Sequence, residues 1–305
     1  MSQEVCNLPH AWSQSQVLIG IGNTGLGKEA ITQLAKHNPA HIYMAARTAS
    51  KAENAIKEIK LIVPSAKVTH LPLDLMSFDS IRAAAETFKD SESRLDILMN
   101  NAGIMAGPVE HTKEGYESQF GTNYMGPFLL TKLLLPTMLK TAEQPGADVR
   151  IVNLSSMAHS NAPWGGLILD QANLSQKNTW TRYGQSKLAN ILFARELAKR
   201  YPTITSVSLH PGVILTDLWN AGSAGNMFMR FGMGIVGRFF TVDIAQGTQN
   251  QLWAATAPKG KDGVKSGEYY VPVGKLNASS GYGRDAKLAE KLWEWSEAEV
   301  KKHGF

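Results

Sequence analysis

A tyrosine and a lysine lie four residues apart in the stretch TRYGQSKLANILFARELAKR, as Tyr183 and Lys187. Apolar residues recur there at helical spacing, and an offset of four places both side chains on one face of a helix. The pKa of a free tyrosine is about 10, and a nearby positive charge lowers it by favouring the phenolate. The pair therefore predicts a general acid or base. The alternative is a surface tyrosine packed on a lysine stem.

The bulk composition is that of a globular protein with a sizeable core. The chain has 305 residues, of which 43% are hydrophobic and 19% are charged. The net charge of +5 is spread along helical stretches among acidic residues, so we expect no nucleic-acid partner. Cys6 is the single cysteine, which excludes an internal disulfide, and we predict no metal site. The sequence has neither a long apolar run nor a secretory leader, which predicts a cytoplasmic location.

Short apolar runs alternate with helical stretches along the chain. We predict strands at 17–21, 41–47, 67–75, 95–103, 148–156, 204–212 and 267–272, and helices at 26–36, 49–60, 80–90, 123–140 and around the Tyr–Lys pair. This alternation predicts an α/β fold, a doubly wound parallel sheet of about seven strands with helices on both faces. Neither an internal repeat nor a linker interrupts it, so we expect residues 1–305 to form a single domain.

Two segments break this alternation. Residues 157–180 separate the fifth strand from the Tyr–Lys helix, and such long connections are usually functional, so we predict an active-site insertion. Residues 213–240 are rich in Gly, Met and Phe, which predicts a substrate lid with an apolar inner face. The alternative for that segment is a pair of core helices. Trp164 and Trp180 in the first segment indicate a bulky apolar substrate, or else act as core anchors.

A glycine-rich turn follows the first strand. Its glycines at positions 20, 22, 25 and 27 stand between a strand and a helix. Glycines at this place let the backbone approach a pyrophosphate at the positive helix start. The spacing of Gly20, Gly22 and Gly25 matches the general dinucleotide fingerprint. Alternatively, the turn needs glycine for packing alone.

The remaining motifs give the chain a family resemblance. Asn100-Asn101-Ala102-Gly103, Asn123, Ser156, the Tyr–Lys pair and Pro211-Gly212 are similar in order and spacing to the short-chain dehydrogenase/reductase family, from about residue 17 to residue 216. The stretches NTGLGKE, NNAGIM, VNLSSMAH and YGQSKLANILFARELA look most like its retinol-dehydrogenase-like branch. The ending, with GEYYVPVGK and LAEKLWEWSE, resembles fungal members. The resemblance implies a Rossmann-like single-domain fold.

The first glycine of the family's phosphate turn is replaced. The family pattern Gly-x-x-x-Gly-x-Gly, aligned on Gly25 and Gly27, places its first glycine at Ile21. Glycines flank that position, so the turn can be rebuilt around Gly22. A β-branched side chain facing the phosphate would weaken cofactor binding.

The resemblance implies a role for each catalytic residue. Tyr183 protonates the developing alkoxide during reduction, while Lys187 lowers its pKa and holds the ribose hydroxyls. Ser156 hydrogen-bonds the substrate carbonyl, although a serine here can instead satisfy a strand end, which suits Ser155 better. Asn123 positions a water in a proton relay through Lys187. Its alternative role is a helix cap.

The resemblance also implies a cofactor site. Asp74 would bind the adenine amino group, and Asn101, Ala102 and Gly103 would line the adenosine half. Thr216 would contact the nicotinamide carboxamide, or cap the helix that begins the lid. The full set of expected cofactor contacts is Gly20, Gly22, Asn23, Thr24, Gly25, Leu26, Gly27, Arg47, Lys51, Asp74, Leu75, Asn101, Ala102, Gly103, Tyr183, Lys187, Pro211, Gly212, Val213 and Thr216.

The end of the second strand indicates which nicotinamide cofactor is used. An acid there binds the ribose 2′-hydroxyl of NAD, whereas an arginine favours the 2′-phosphate of NADP. The strand ends in Arg47, and Lys51 and Lys28 add positive charge, so we expect NADP(H). Cells keep this cofactor mainly reduced, an expectation from the family, which favours reduction.

These residues lead to an NADP(H)-dependent carbonyl reductase or alcohol dehydrogenase acting on a small apolar carbonyl or alcohol. The alternative is a non-catalytic NADP-binding sensor or interaction protein, and a third option is membrane-surface contact through the lid. The helix at 123–140 and the Tyr–Lys helix often form a dimer face in this family, which suggests a homodimer. A monomer and a tetramer stay open.

Overall fold

The computed structural model describes residues 16–212, 243–260, 263–277 and 279–305. The predicted lid at 213–240 and the cofactor residues Val213 and Thr216 therefore lie outside the described residues. In the described part, eight strands form one sheet in the order β3-β2-β1-β4-β5-β6-β7-β8. They are β1 (Val17–Ile21), β2 (His41–Ala46), β3 (Val68–Pro72), β4 (Ile97–Asn100), β5 (Arg150–Leu154), β6 (Thr205–Leu209), β7 (Tyr269–Val271) and β8 (Lys275–Leu276).

Helices cover both faces of this sheet. They are α1 (Gly25–Ala35), α2 (Ala49–Ile62), α3 (Phe78–Ser91), α4 (Ser118–Phe120), α5 (Gly126–Ala142), α6 (Gln171–Ser175), α7 (Thr179–Arg200), α8 (Ile244–Thr256) and α9 (Ala286–Lys302). The first seven strands run parallel, as predicted, and β8 is antiparallel to β7. The sequence missed β8 because two exposed residues have no hydrophobic pattern. The Rossmann-like doubly wound fold is confirmed.

Alternating side chains of each strand supply two separate hydrophobic clusters, one on each face. In β1, Val17, Ile19 and Ile21 pack into the cluster under α3, α5, α7 and α9, whereas Leu18 packs into the cluster under α1, α2 and α8. Successive side chains of a strand point to opposite faces, so a strand between two helical layers is apolar at every position. This explains why β1 reads as a continuous apolar run.

The predicted helix at 123–140 begins five residues earlier than expected. Glu117 caps its start by accepting a hydrogen bond from the Phe120 amide at 2.9 Å. Helix α4 then continues through a π-helical segment, Gly121–Met125, into α5. The capping role considered for Asn123 is therefore wrong, because Asn123 lies inside the π-helical segment. Such segments widen a helix locally and are frequent at functional sites.

The C-terminal helix α9 lies on part of the α5–α7 face that suggested a homodimer. The Tyr124 and Ser296 hydroxyls lie 2.7 Å apart in a hydrogen bond, and the Trp293 ring stacks on Phe193 with centroids 6.0 Å apart. Aromatic burial of this kind is a large contribution to packing. The face named in the dimer prediction is thus partly covered by the chain itself. The homodimer stays a prediction.

Candidate active site

The candidate site lies where the strand order reverses. Strands β2 and β4 flank β1 on opposite sides, so the connections after β1 and β4 leave in opposite directions and open a crevice at their carboxyl ends. Asn101, directly after β4, crosses this crevice and donates a hydrogen bond from Nδ2 to the carbonyl oxygen of Ile21 at 3.1 Å. The crevice therefore joins the glycine-rich turn to the NNAG motif.

The glycine-rich turn is built around Gly22. This residue has φ +123°, a conformation that favours glycine, and its amide donates to the Ala45 carbonyl at 2.9 Å. A Cβ on Gly27 would lie 2.7 Å from Asn101 Nδ2, so that position is also restricted to glycine. The Ile21 side chain is 3% exposed and belongs to the core. It therefore does not face the turn, and the departure from the family pattern leaves the backbone accessible.

Of the other residues of the turn, Gly20 is needed for packing, whereas the residues from Asn23 to Leu26 are accessible to solvent. A Cβ on Gly20 would lie 2.9 Å from the Ile31 side chain, so this glycine lets α1 pack closely on β1. The residues from Asn23 to Leu26 are partly or fully exposed. Thr24 precedes α1 and its side chain makes no capping bond within the described structure. The first amides of α1 therefore remain available to an anion.

Helix α7 brings the predicted tyrosine and lysine to the end of β5. The Tyr183 side chain is 9% exposed, and the Ser156 side chain is close enough to the Tyr183 hydroxyl to influence its pKa. Lys187 Nζ lies 5.6 Å from the centre of the Tyr183 ring. Lys187 also donates to the Leu154 carbonyl at 3.0 Å. The two elements that meet here, α7 and the end of β5, thus place the phenol, the ammonium and a serine hydroxyl together.

The pKa values of the pair move in the direction that burial dictates. Burial raises the pKa of Tyr183 to about 12, with the Ser156 hydrogen bond acting in the opposite direction. Burial lowers the pKa of Lys187 to about 8. The net pKa of Tyr183 is therefore above that of a free tyrosine and not below it as expected, because desolvation of the phenolate outweighs the contributions that favour it. At pH 7 the pair consists of a neutral phenol and a mainly protonated amine.

Asn123 holds the loop that follows the NNAG motif. Its Oδ1 accepts from the Ile104 amide at 2.8 Å, and its Nδ2 donates to the Ile104 carbonyl and to Ser186 Oγ, each at 2.9 Å. A Cβ on Gly103 would lie 2.9 Å from Asn123 Oδ1 and 3.3 Å from Lys187 Nζ. Gly103 thus leaves space at the point where these two polar groups converge.

The two serines after β5 divide their roles. Ser155 is buried and its Oγ donates to the Lys187 carbonyl at 2.7 Å, which is the structural role considered for a strand-end serine. Ser156 Oγ accepts from the Ala158 amide at 3.2 Å and faces Tyr183. Ser156 is therefore the serine that points into the site.

The remaining cofactor candidates lie around the same crevice. Asp74 accepts from the Met76 amide at 3.0 Å, and Leu75 is buried against Gly126. Arg47 and Lys51 are exposed at the carboxyl end of β2 and the start of α2. The other positions are Lys28, whose ammonium pairs with Glu58, Ala102, which packs against the core, and Pro211 with Gly212, where Gly212 has φ +106°.

The segment at 157–180 is described throughout. It contains a 3₁₀ turn, Met157–Asn161, and the short helix α6. Trp164 is 96% exposed, so it does not anchor the core. Trp180 lies edge-on to the Tyr183 ring with centroids 6.4 Å apart, which places an apolar ring beside the candidate acid. Glu117 and Arg182 form a buried ion pair with a 2.6 Å contact that holds the start of α7.

Sequence reasoning missed three buried side chains near the site: His159, His210 and Tyr269. His159 contacts the Tyr269 ring, with centroids 5.1 Å apart. His210 directly follows β6 and Tyr269 lies in β7, so both belong to elements that come after the Tyr–Lys helix. The motif LSSMAH includes His159, but a linear pattern does not show which groups its ring will meet.

A glycine-rich turn at the switch point of a doubly wound sheet, with a Tyr–Lys–Ser group beside it, defines a nicotinamide-dependent oxidoreductase class. The family model described as short chain dehydrogenase matches residues 16–226. The chain belongs to the short-chain dehydrogenase/reductase family. Among the described residues, every helix is too short or too polar to cross a membrane.

Similar proteins place the chain near fungal and retinol-dehydrogenase-like members. It is 39% identical over 297 residues to Short-chain dehydrogenase/reductase drtF of Aspergillus calidoustus, covering 93% of each chain. It is 38% identical over 284 residues to retinol dehydrogenase 12 of Mus musculus, covering 92% of this chain and 84% of the relative. The crystal structure of NADPH-bound carbonyl reductase from chicken fatty liver matches with a TM-score of 0.63 and 26% identity, covering 87% of this chain and 99% of that one.

Proposed function

We propose that this protein is an NADP(H)-dependent reductase that transfers a hydride between the nicotinamide and a carbonyl of an apolar substrate, with reduction favoured. The observation that carries the proposal is the convergence of three groups: the Tyr183 hydroxyl, the Ser156 side chain that interacts with it, and the Lys187 ammonium 5.6 Å from the centre of the tyrosine ring. An acid, a hydrogen-bond donor and a cation thus surround one point at the carboxyl edge of the sheet.

The residues of the crevice fit a dinucleotide. The turn around Gly22 and Gly27 has no room for side chains, and the exposed start of α1 offers amides and a positive dipole to a pyrophosphate. Asn101 has an Oδ1 that is buried and without a hydrogen-bond partner among the described residues. Such an atom suits an amide or hydroxyl donor of a ligand.

The chemistry then divides between the cofactor and the chain. When bound, the nicotinamide supplies the hydride to the carbonyl carbon. The Ser156 hydroxyl donates a hydrogen bond to the carbonyl oxygen, where negative charge develops. Tyr183 transfers its proton to that oxygen, which yields the alcohol and leaves a phenolate. Lys187, protonated at pH 7, stabilises that phenolate and lowers the cost of forming it.

Two features support the finer assignments. Arg47, just after β2, and Lys51, in the first turn of α2, are exposed and can pair with a ribose 2′-phosphate. The carbonyl reductase of similar structure was crystallised with NADPH. Trp180 beside Tyr183 supplies an apolar surface for the substrate. The resemblance to retinol dehydrogenase 12 is consistent with an apolar substrate of that kind.

The non-catalytic alternative loses its one supporting feature. A sensor that binds NADP without chemistry was favoured only by Ile21, and that side chain lies in the core rather than in the turn. A binding protein also has no need for a buried phenol aligned with a serine and a lysine. We therefore propose catalysis as the function.

The test is the Tyr183→Phe variant, assayed by NADPH oxidation against a panel of aldehydes, ketones and quinones. Removal of the acid should lower kcat by about 10²- to 10⁴-fold, while NADPH binding measured by cofactor fluorescence is retained. Tyr43→Phe is the matched control, because it removes another buried phenol hydroxyl, bonded to Glu92 at 3.0 Å, away from the site. Undiminished turnover in Tyr183→Phe would exclude the assigned acid.

A further inference from the structure

We infer that His159 is a positioning residue for Ser156, acting as a neutral imidazole that joins the backbone of this serine to the C-terminal segment at Ser280. The inference rests on the proposed function for its catalytic consequence. Its structural basis is independent of that function and consists of two hydrogen bonds to opposite sides of one buried ring.

The two bonds define which nitrogen carries the proton. His159 Nδ1 lies 2.7 Å from the Ser156 carbonyl oxygen, which can only accept a hydrogen bond. On the other side of the ring, the Ser280 amide donates to His159 Nε2 at 3.0 Å. The imidazole must therefore be protonated at Nδ1 and unprotonated at Nε2. A second proton on Nε2 would face the Ser280 N–H and break that bond.

As a result, two hydrogen bonds from His159 hold the carbonyl of Ser156. This carbonyl accepts a hydrogen bond from the His159 amide at 3.1 Å as well as from the imidazole at 2.7 Å. Ser156 also begins the 3₁₀ turn, with its own Oγ accepting from the Ala158 amide. Fixing this peptide restricts the Ser156 backbone, and the Ala158 amide restricts Oγ, so together they limit where Oγ lies relative to Tyr183.

The surroundings keep this imidazole neutral. His159 is 5% exposed, its ring meets Tyr269 edge to face, and burial lowers its pKa. The titratable groups that interact with His159 or with its neighbours include His210, Tyr269, Tyr183 and Lys187. The pKa of His210 is lowered to about 4 by burial, with smaller contributions from His159 and Lys187. In the described part of the chain, His210 Nδ1 and the Tyr269 hydroxyl are buried without hydrogen-bond partners.

Two substitutions of His159 each keep one of its two hydrogen bonds and remove the other. The amide of asparagine can place a donor near the position of Nδ1, so His159→Asn keeps the link to Ser156 and loses the link to Ser280. The longer glutamine can place an acceptor near the position of Nε2, so His159→Gln keeps the link to Ser280 and loses the link to Ser156. Both variants lose the packing of the ring on Tyr269, so they are matched for stability.

The kinetic test compares kcat in these two variants with the wild-type enzyme, in the NADPH-dependent assay. We expect His159→Gln to lower kcat by about 10-fold or more, because a small misplacement of a catalytic group is costly, and His159→Asn to stay within about 3-fold of wild type. The KM for NADPH should be unchanged in both, and their melting temperatures should fall equally. Equal kcat losses in the two variants, or a larger loss in His159→Asn, would overturn the positioning role.

A second measurement does not depend on activity. Long-range proton–nitrogen spectra of histidine-labelled protein, assigned with the His159→Asn variant, should show His159 protonated at Nδ1 and uncharged at pH 7, and it should become charged only at a lower pH than an exposed histidine does. The Nε2-protonated form would refute the inference even in an active enzyme. The Nδ1-protonated form in a protein without reductase activity would instead refute the proposed function alone.

Discussion

The ammonium of Lys187 donates a hydrogen bond to the carbonyl oxygen of Leu154 at 3.0 Å, and the side-chain amide of Asn190 donates to the same oxygen at 2.9 Å. This carbonyl belongs to the last residue of β5, so the lysine is anchored to the sheet by the chain itself. The anchor directs a fully buried ammonium along the side of Tyr183. The Leu154 carbonyl stabilises the charge of the Lys187 ammonium, whereas burial opposes it. Burial lowers the pKa of Lys187 to about 8, which is close to neutral pH.

We predict that kcat/KM for NADPH falls as the pH rises through about 8. Burial lowers the pKa of Lys187 to about 8, so the amine is charged below that pH and neutral above it. The charged form is the one that stabilises a phenolate at Tyr183. The pH profile of kcat/KM reports groups of the free enzyme. Lys187→Arg, which stays charged, should lack this decline. A wild-type profile that stays flat to about pH 9.5 would contradict the assignment.

We predict that Gly27→Ala abolishes cofactor binding while the rest of the fold persists. The added Cβ would lie 2.7 Å from Asn101 Nδ2 and 3.0 Å from two backbone oxygens of the turn, so the turn must move. Gly107→Ala is the control, because a Cβ there has no atom of the described residues within 4 Å. Titration of NADPH fluorescence measures the effect. Binding by Gly27→Ala as tight as that of Gly107→Ala would show that the turn is not the phosphate site.

We predict that Arg47→Asp reverses the preference between the two cofactors. It removes a cation at the end of β2 and supplies the acid that binds a ribose 2′-hydroxyl. The loss of one or two charge-assisted hydrogen bonds corresponds to about 10- to 100-fold weaker NADPH binding. Lys28→Met should have a smaller effect, because Glu58 already pairs with that ammonium. The ratio of kcat/KM for NADPH and NADH is the measurement, and an unchanged ratio in Arg47→Asp would exclude this site for the 2′-phosphate.

We predict that Trp293→Ala destabilises the protein by about 3–5 kcal/mol, the usual cost of removing a large buried aromatic ring. Trp293 is 7% exposed, stacks on Phe193 and meets Phe128 edge to face at 5.3 Å. Trp164→Ala is the matched control and should change stability by less than about 0.5 kcal/mol, because Trp164 is 96% exposed. Urea unfolding measures both. Similar losses in the two variants would show that α9 does not stabilise the α5–α7 layer.

Local patterns in the sequence were sufficient to predict most of the strands and several of the helices. Buried parallel strands are short apolar runs, and amphipathic helices repeat every three to four residues, so β1 to β7 and α1 to α3 could be predicted from neighbours alone. The start of the helix before α5 could not, because the Glu117 cap belongs to no simple N-terminal signature and the π-helical segment changes the period. β8 could not be predicted either, because it consists of two residues that are both exposed. The position of α9 could not be predicted, because it packs on helices that are far away in the sequence.

The candidate site likewise contains residues that the sequence predicted and contacts that it could not predict. Tyr183 and Lys187 share a face because both lie on one helix, and the glycines at 22 and 27 stand between one strand and the next helix. The sequence could not predict the environment of the Ile21 side chain, because whether a side chain enters the core or the turn depends on the twist and register of the whole sheet. The same holds for His159, whose ring meets the Ser280 amide 121 residues further along the chain.

By itself, the sequence determined the order of β1 to β7 along the chain, the main helices between β1 and β6, the family, and the side chains proposed for catalysis, because these depend on spacing along one element or on motifs within a few residues. Only the tertiary structure decided that the Tyr183 phenol has a raised pKa and the Lys187 amine a lowered one, and that α9 covers part of the α5–α7 face. Desolvation and packing depend on groups that converge from distant segments, and a linear pattern does not record which of them will meet.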